Sequence, residues 1–196
     1  MREVHTPRMI RDGFPVSNGK FSTHGAMVEV LVNGQFGYYG TPDLSSKGIS
    51  SAAKNAYEQA EIASRHSIFS FDETARPKAT GEYQSPYVKD VNSTYVGDLN
   101  QILLDSCNSL KVSDKIVSAS SLCQTIDTFF HFVSSNGSDI EQKFLMFEFD
   151  LRATAADGAN QQTRTFGGMR GTCRQVGMEY FDENEVILNS KKVGEE

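Results

Sequence analysis

Hydrophobic and polar residues along the chain follow two different periods, and the changes between them mark out elements. Met27–Val32 and Gln35–Tyr39 are β-prone runs joined by Asn33-Gly34. A type I′ turn needs positive φ at both central residues, which Asn and Gly tolerate best. The pattern predicts a β-hairpin over about 26–40, with Gly25, Gly37 and Gly40 as candidate bulges or close backbone approaches.

Thr41-Pro42-Asp43 then supplies a turn and a capping carboxylate. Ile49, Ala52, Ala53, Ala56, Ala60 and Ala63 recur at three- and four-residue spacing, opposite Lys54, Asn55, Glu58, Glu61 and Arg65. This is a helix with a face of small residues, suited to close packing across a sheet. Gly48 weakens its first turn by roughly 1 kcal/mol relative to Ala. Residues 67–94 carry no sustained period and read as a long irregular connection, either a surface wrap or the wall of a site. A second helix is predicted over 96–110, with Leu99, Ile102, Leu103, Cys107 and Leu110 on one stripe and Asp98 or Thr94 as its cap.

From Lys115 the period changes to two. Lys115–Gln124, Thr125–Ser134, Phe144–Ala155 and Gln161–Met169 predict an antiparallel meander of about four strands, with turns at 135–138 and at Asp157-Gly158. Leu145, Phe147, Phe149 and Leu151 form one face; Met146, Glu148, Asp150 and Arg152 form the other. Two helices would cover the dry face. The fold class is therefore α+β: a β-hairpin, two helices and an antiparallel β-meander forming a helix-on-sheet layer. The N-terminal stretch offers only the turn formers Asp12-Gly13 and Asn18-Gly19. Residues 184–196 read as the approach to a further helix, so that the chain reads as a piece of something longer.

Composition narrows the task. The 196 residues suffice for one domain, or two small ones, with a hydrophobic core. Lys and Arg number 19 against 25 Asp and Glu, a net charge of −6, which argues against a nucleic-acid partner needing a basic surface. The longest apolar run, Phe129–Val133, is interrupted by His131, so no membrane span is expected. The N-terminus lacks the apolar stretch of a secretory signal, and three cysteines are too few for a disulfide framework. A cytoplasmic location with reduced thiols is the expectation.

Little of this composition points to chemistry. The closest pair among His5, His24, His66 and His131 is nineteen residues apart, and Cys107, Cys123 and Cys173 have no Cys-x-x-Cys spacing. No Gly-x-Ser-x-Gly elbow occurs. Cys173, flanked by Arg170 and Arg174, reads either as the most reactive thiol or as a plain surface cysteine. Phe166–Thr172 is glycine-rich like an anion nest, but no helix is predicted to follow, so it reads as a loop or strand end. Phe129, Phe130, Phe132, Phe144, Phe147 and Phe149 are either a binding platform or sheet core. Glu179, Asp182, Glu183 and Glu185 are either a cation-recruiting cluster or a solvated loop. No catalytic, cofactor-binding or metal-binding residue is assigned.

The block from Gly25 to Tyr38, followed by Thr41-x-Asp43-Leu44, resembles the N-terminal domain of the TldD/PmbA family, long labelled modulators of DNA gyrase. The resemblance continues through the Asp98–Leu110 helix, the Ser135-Asn136-Gly137 turn, Ala155–Gly158 and the Phe166–Gly171 loop, over about residues 9–196. It implies a metallopeptidase family acting as homodimers or TldD–TldE heterodimers that enclose a chamber where unfolded peptides are cleaved. The family's catalytic subunit holds zinc on a His-Glu-x-x-x-His motif with a later Cys. That motif is absent here, so no ligand is carried over. On this resemblance 1–175 would be the N-terminal α+β domain and 176–196 the start of a connection to a C-terminal part holding the zinc. The motif is expected about 30 residues after Glu196. The chain would be the front of a catalytic subunit or part of a metal-free partner. A stand-alone peptide- or protein-binding module without enzymatic activity is the alternative.

Overall fold

The structure, a computed structural model, describes residues 1–168 and 171–196, with the side chains of residues 183 and 184 left aside. Nine strands and three α-helices run through the described residues in the order β1 (Arg2–Arg11), β2 (Phe14–Asn18), β3 (Phe21–His24), β4 (Ala26–Val32), β5 (Gln35–Thr41), α1 (Ser46–Ser64), β6 (Thr80–Gln84), α2 (Val96–Ser109), β7 (Ile116–Val133), β8 (Asp139–Asp157), β9 (Asn160–Thr165) and α3 (Glu183–Glu195). The larger sheet has the order β2-β1-β7-β8-β6, with β3 on β1 and β9 on β8; β4 and β5 form a sheet of their own. The α+β class is as expected from the pattern.

The chain divides into two compact units. The first comprises Met1–Glu3, Thr23–Tyr83 and Phe129–Gln142. Its β4–β5 hairpin pairs Val32 with Gln35 across Asn33 (φ 48°) and Gly34 (φ 76°), the positive-φ pair that the Asn-Gly turn requires. Helix α1 lies on this hairpin. Ser45, rather than Asp43, is its N-cap and accepts from the Gly48 amide at 3.2 Å; Asp43 instead accepts from the Ser45 amide at 2.9 Å. Ala52, Ala56 and Ala60 are buried to within 1%. The small-residue face exists because Gly37 of β5 meets the helix backbone: a Cβ there would stand 1.9 Å from the Ala56 carbonyl oxygen. On the hairpin, Glu29 receives both arms of Arg76, at 3.0 Å from Nε and 2.9 Å from Nη2.

The second unit comprises Val4–Ser22, Gln84–Thr128 and Lys143–Glu196. One face of its sheet carries Ile10, Ala119, Cys123, Phe147, Phe149, Leu151 and Ala153, covered by Leu99, Leu103, Cys107 and Leu110 of α2 and by Val186 and Val193 of α3. Phe147 is fully buried, with Phe181 at 5.5 Å and Tyr180 at 6.3 Å between ring centroids. Gly194 of α3 is packed where a Cβ would lie 2.4 Å from the Leu110 carbonyl oxygen.

Four expectations are corrected. The N-terminal stretch forms β1, β2 and β3, because Val4 and Ile10 bury while their neighbours stay wetter, and Asp12 (φ 52°) and Gly13 (φ 86°) turn the chain. Ile116–Val133 is one strand of 18 residues in place of the two expected over 115–134, since no turn former separates Gln124 from Thr125. The connection 67–94 contains β6 and two single-turn 3₁₀ helices, at Glu73–Ala75 and Val91–Ser93, capped by Asp72 and Asp90. Neither Asp98 nor Thr94 caps α2; Tyr95 occupies the N-cap without a side-chain bond.

Candidate functional site

Alternation along three neighbouring strands of the second unit turns a set of polar side chains away from the core. Ile10 points to the helices, so Met9 and Arg11 of β1 point to the other face. Ala119 and Cys123 of β7 do the same for Ser118, Ser120 and Leu122, and Phe149 and Leu151 of β8 for Asp150, Arg152 and Thr154. These eight residues line a cleft of about 400 Å³.

The end of β1 is held in place by Asp12. Its carboxylate accepts from the Ala119 amide at 2.9 Å, from Ser118 Oγ at 3.2 Å and lies 3.4 Å from Lys111 Nζ, while its own amide donates to the Ala119 carbonyl at 2.8 Å. The Ala119 amide leads in holding the Asp12 pKa below the ordinary carboxylate value, against a smaller opposing effect of burial. Thr154 Oγ1 is 3.0 Å from Thr163 Oγ1. Arg11 and Arg152 are exposed, and neither forms an ion pair with a carboxylate among the described residues.

Asp150 is the perturbed group. Burial pushes its pKa up to about 6, and the charge of Glu148 adds to this; the Leu151 amide and Arg152 pull the other way. A carboxyl so placed can hold a proton near neutral pH, between cationic side chains and hydroxyls.

In the first unit a second cleft, of about 390 Å³, runs beside the Glu29–Arg76 pair. Its walls include Phe36, over which the Arg76 guanidinium sits at 5.0 Å, and Phe132. Arg76, then burial in opposition, leads in moving Glu29 below its ordinary value.

The residues singled out from the sequence are not brought together. His5 lies 3.0 Å from Gln124 and stacks on Phe21 at 4.9 Å; His131 lies 2.8 Å from Asp139; His24 and His66 are exposed. Cys107 and Cys123 are buried, and burial pushes the Cys123 thiol up to about 12. Among the described residues no three His, Cys, Asp or Glu are grouped so as to hold a metal ion. Arg174 donates to the carbonyls of Gly171 and Cys173, at 3.2 and 2.9 Å. Arg170 and Met169 lie outside the described residues. Gly167 and Gly168 have φ of 78° and 72°, and no helix follows the loop over 171–177.

Two members of the acidic cluster, Glu179 and Asp182, are spent on backbone. Glu179 accepts from the amides of Val88 (3.1 Å), Lys89 (2.8 Å) and Gly177 (3.0 Å), and Asp182 accepts from the Glu185 amide at 3.1 Å, capping α3. Burial raises the Glu179 pKa, but these donors together outweigh it and hold it at about 2. The side chain of Glu183 lies outside the described residues. Phe147 and Phe149 are sheet core, whereas Phe132 lines the first unit's cleft. Asp150 and Arg152 were readable as one face of a strand. Arg11 was missed with the whole of β1, although its alternation about Ile10 was the available signal.

An antiparallel sheet covered by helices, with a polar open face and no metal group among its described residues, defines the class: a helix-on-sheet α+β protein. Within that class, residues 9–60 match the family model described as PmbA/TldA metallopeptidase domain 1. Three solved structures share the fold. A Thermotoga maritima protein named as a candidate modulator of a DNA gyrase is 14% identical over 98% of this chain and 42% of its own, with a TM-score of 0.68. A Bacteroides thetaiotaomicron protein with the same designation is 19% identical over 84% of this chain and 38% of its own (TM-score 0.61). TldE from Thermococcus kodakarensis is 14% identical over 99% and 42% (TM-score 0.60). No curated protein matches the chain. The resemblance to the TldD/PmbA family drawn from the sequence is borne out by the family model over 9–60; over the rest of the chain the solved structures show a shared fold. The chain spans about two fifths of the length of the structures it matches.

Proposed function

We infer that this chain is the N-terminal, non-catalytic portion of a TldD/PmbA-type zinc metallopeptidase. In this reading it helps form a homodimer or a TldD–TldE-type heterodimer in the cytoplasm, whose chamber admits unfolded peptides. The observation that carries the reading is the match of residues 9–60 to domain 1 of the metallopeptidase family. The likeness of fold to TldE over nearly the whole chain supports it. Zinc would belong to a C-terminal part, since this sequence has no His-Glu-x-x-x-His. Among the described residues no helix is long and apolar enough to cross a membrane.

The test is to express the chain alone and as part of its longer product, measuring zinc by elemental analysis and cleavage of an unfolded peptide by mass spectrometry. The longer product, alone or with its partner subunit, is expected to carry zinc and cleave; the chain alone is expected to do neither. Stoichiometric zinc or peptide cleavage by the chain alone would overturn the reading.

A further inference from the structure

The open face of β1, β7 and β8 gathers two guanidinium groups that no described residue of the second unit neutralises in an ion pair. In a chain of net charge −6, with 25 carboxylates to choose from, both Arg11 and Arg152 lack an ion-pair partner among the described residues, yet both line one cleft. Their strands are separated by β7, so the backbones stand roughly 10 Å apart, within the combined reach of two arginine side chains. Between them lies the hydroxyl of Ser120, beside Ser118 whose own hydroxyl is given to Asp12, with Thr154 beside Arg152. Guanidinium forks and hydroxyl donors are the groups that recognise an oxyanion.

We propose that this cleft binds a small oxyanion, carboxylate or phosphate-like, clamped by Arg11 and Arg152 over the Ser120 hydroxyl of β7. Asp150 gates it. Among the described residues the charges acting on Asp150 are Glu148 and Arg152 on its own strand; Arg11 of β1 lines the same cleft, to which β7 contributes Ser118, Ser120 and Leu122. When ionised, Asp150 opposes the ligand; when protonated, it offers a hydrogen-bond donor. Ligand uptake is therefore coupled to uptake of one proton.

Sulfate, whose charge is constant across the range, is the probe for that coupling. Calorimetric titration of the chain is expected to show sulfate binding about tenfold tighter near pH 5 than near pH 7, as protonation through about pH 6 requires. Arg11→Gln and Arg152→Gln are each expected to weaken binding near pH 5 by about fivefold or more. Lys115→Gln, which breaks the separate Lys115–Asp157 pair, should change nothing. Asp150→Asn should bind near pH 7 as tightly as the unaltered chain does near pH 5. In that variant, comparison of succinate with inorganic phosphate near pH 7 tells a carboxylate ligand from a phosphate-like one. A carboxyl NMR titration gives an independent readout, because bound sulfate must raise the Asp150 midpoint. No sulfate binding near pH 5, affinity independent of pH, or arginine variants indistinguishable from the unaltered chain would each overturn the proposal.

Discussion

Asp150 and Glu179 are carboxylates against the same unit's interior, and their surroundings move them in opposite directions. Asp150 is lifted to about 6, so the stability it contributes is fully present below the unfolded value near 3.8 and is lost as pH rises through about 6. Asp150→Asn is accordingly expected to stabilise the chain near pH 8 by about 1 kcal/mol, after allowance for solvent screening, and to leave it unchanged near pH 4. Urea unfolding at the two pH values measures this; equal effects at both would contradict it. Glu179, held at about 2 by backbone amides, contributes stability that is present above its unfolded value of about 4.5 and is lost as pH falls through about 2. Glu179→Gln should lower Tm near neutral pH, with the difference shrinking as acid is added. A Tm lowered equally near pH 2 would mean that Glu179 acts through packing.

Among the elements, α1 and its hairpin show how a small-residue stripe becomes a contact. The alanine spacing was legible because it follows the helical period, and Asn33-Gly34 because only a few residues accept positive φ at both turn positions. The pattern puts two helices on the dry face of the meander; instead α1 lies on β4 and β5, while α2 and α3 cover the larger sheet of the second unit. Gly37→Ala places a methyl 1.9 Å from the Ala56 carbonyl oxygen. Overpacking of this kind costs about 1–3 kcal/mol, which thermal unfolding should register. Gly40→Ala on the same strand, with nothing within 4 Å of its added Cβ, is the matched control; equal losses at both positions would point to strand propensity instead. In β1, Pro7 and charged neighbours interrupt the alternation and leave only the part about Ile10 legible; pairing with β2 and β7 makes the whole stretch a strand.

For the molecule as a whole, the second unit's core and the net charge carry separate expectations. Phe147 is fully enclosed by β8, Tyr180 and Phe181, and Phe147→Ala is expected to cost about 3–5 kcal/mol. Denaturant unfolding gives the value; a loss near zero would show that the site collapses without a cavity. The charge of −6 predicts no salt-dependent attraction to duplex DNA, whatever the gyrase label of its structural relatives suggests. Fluorescence anisotropy at low and physiological salt checks this, and tight binding that fades with salt would refute it.

By itself the amino-acid order determined the local and periodic features: the hairpin turn, two amphipathic helices, the dry and wet faces of β8, and the lack of a His-Glu-x-x-x-His motif. Each depends on residues a few positions apart, so each leaves a mark in sequence. Tertiary structure alone decided that Arg11 shares a cleft with Asp150 and Arg152, that Glu179 is consumed by amides ninety residues away, and that Asp150 holds its proton near pH 6. Those facts depend on strand pairing and burial across long separations, where adjacency in space has no counterpart in adjacency along the chain.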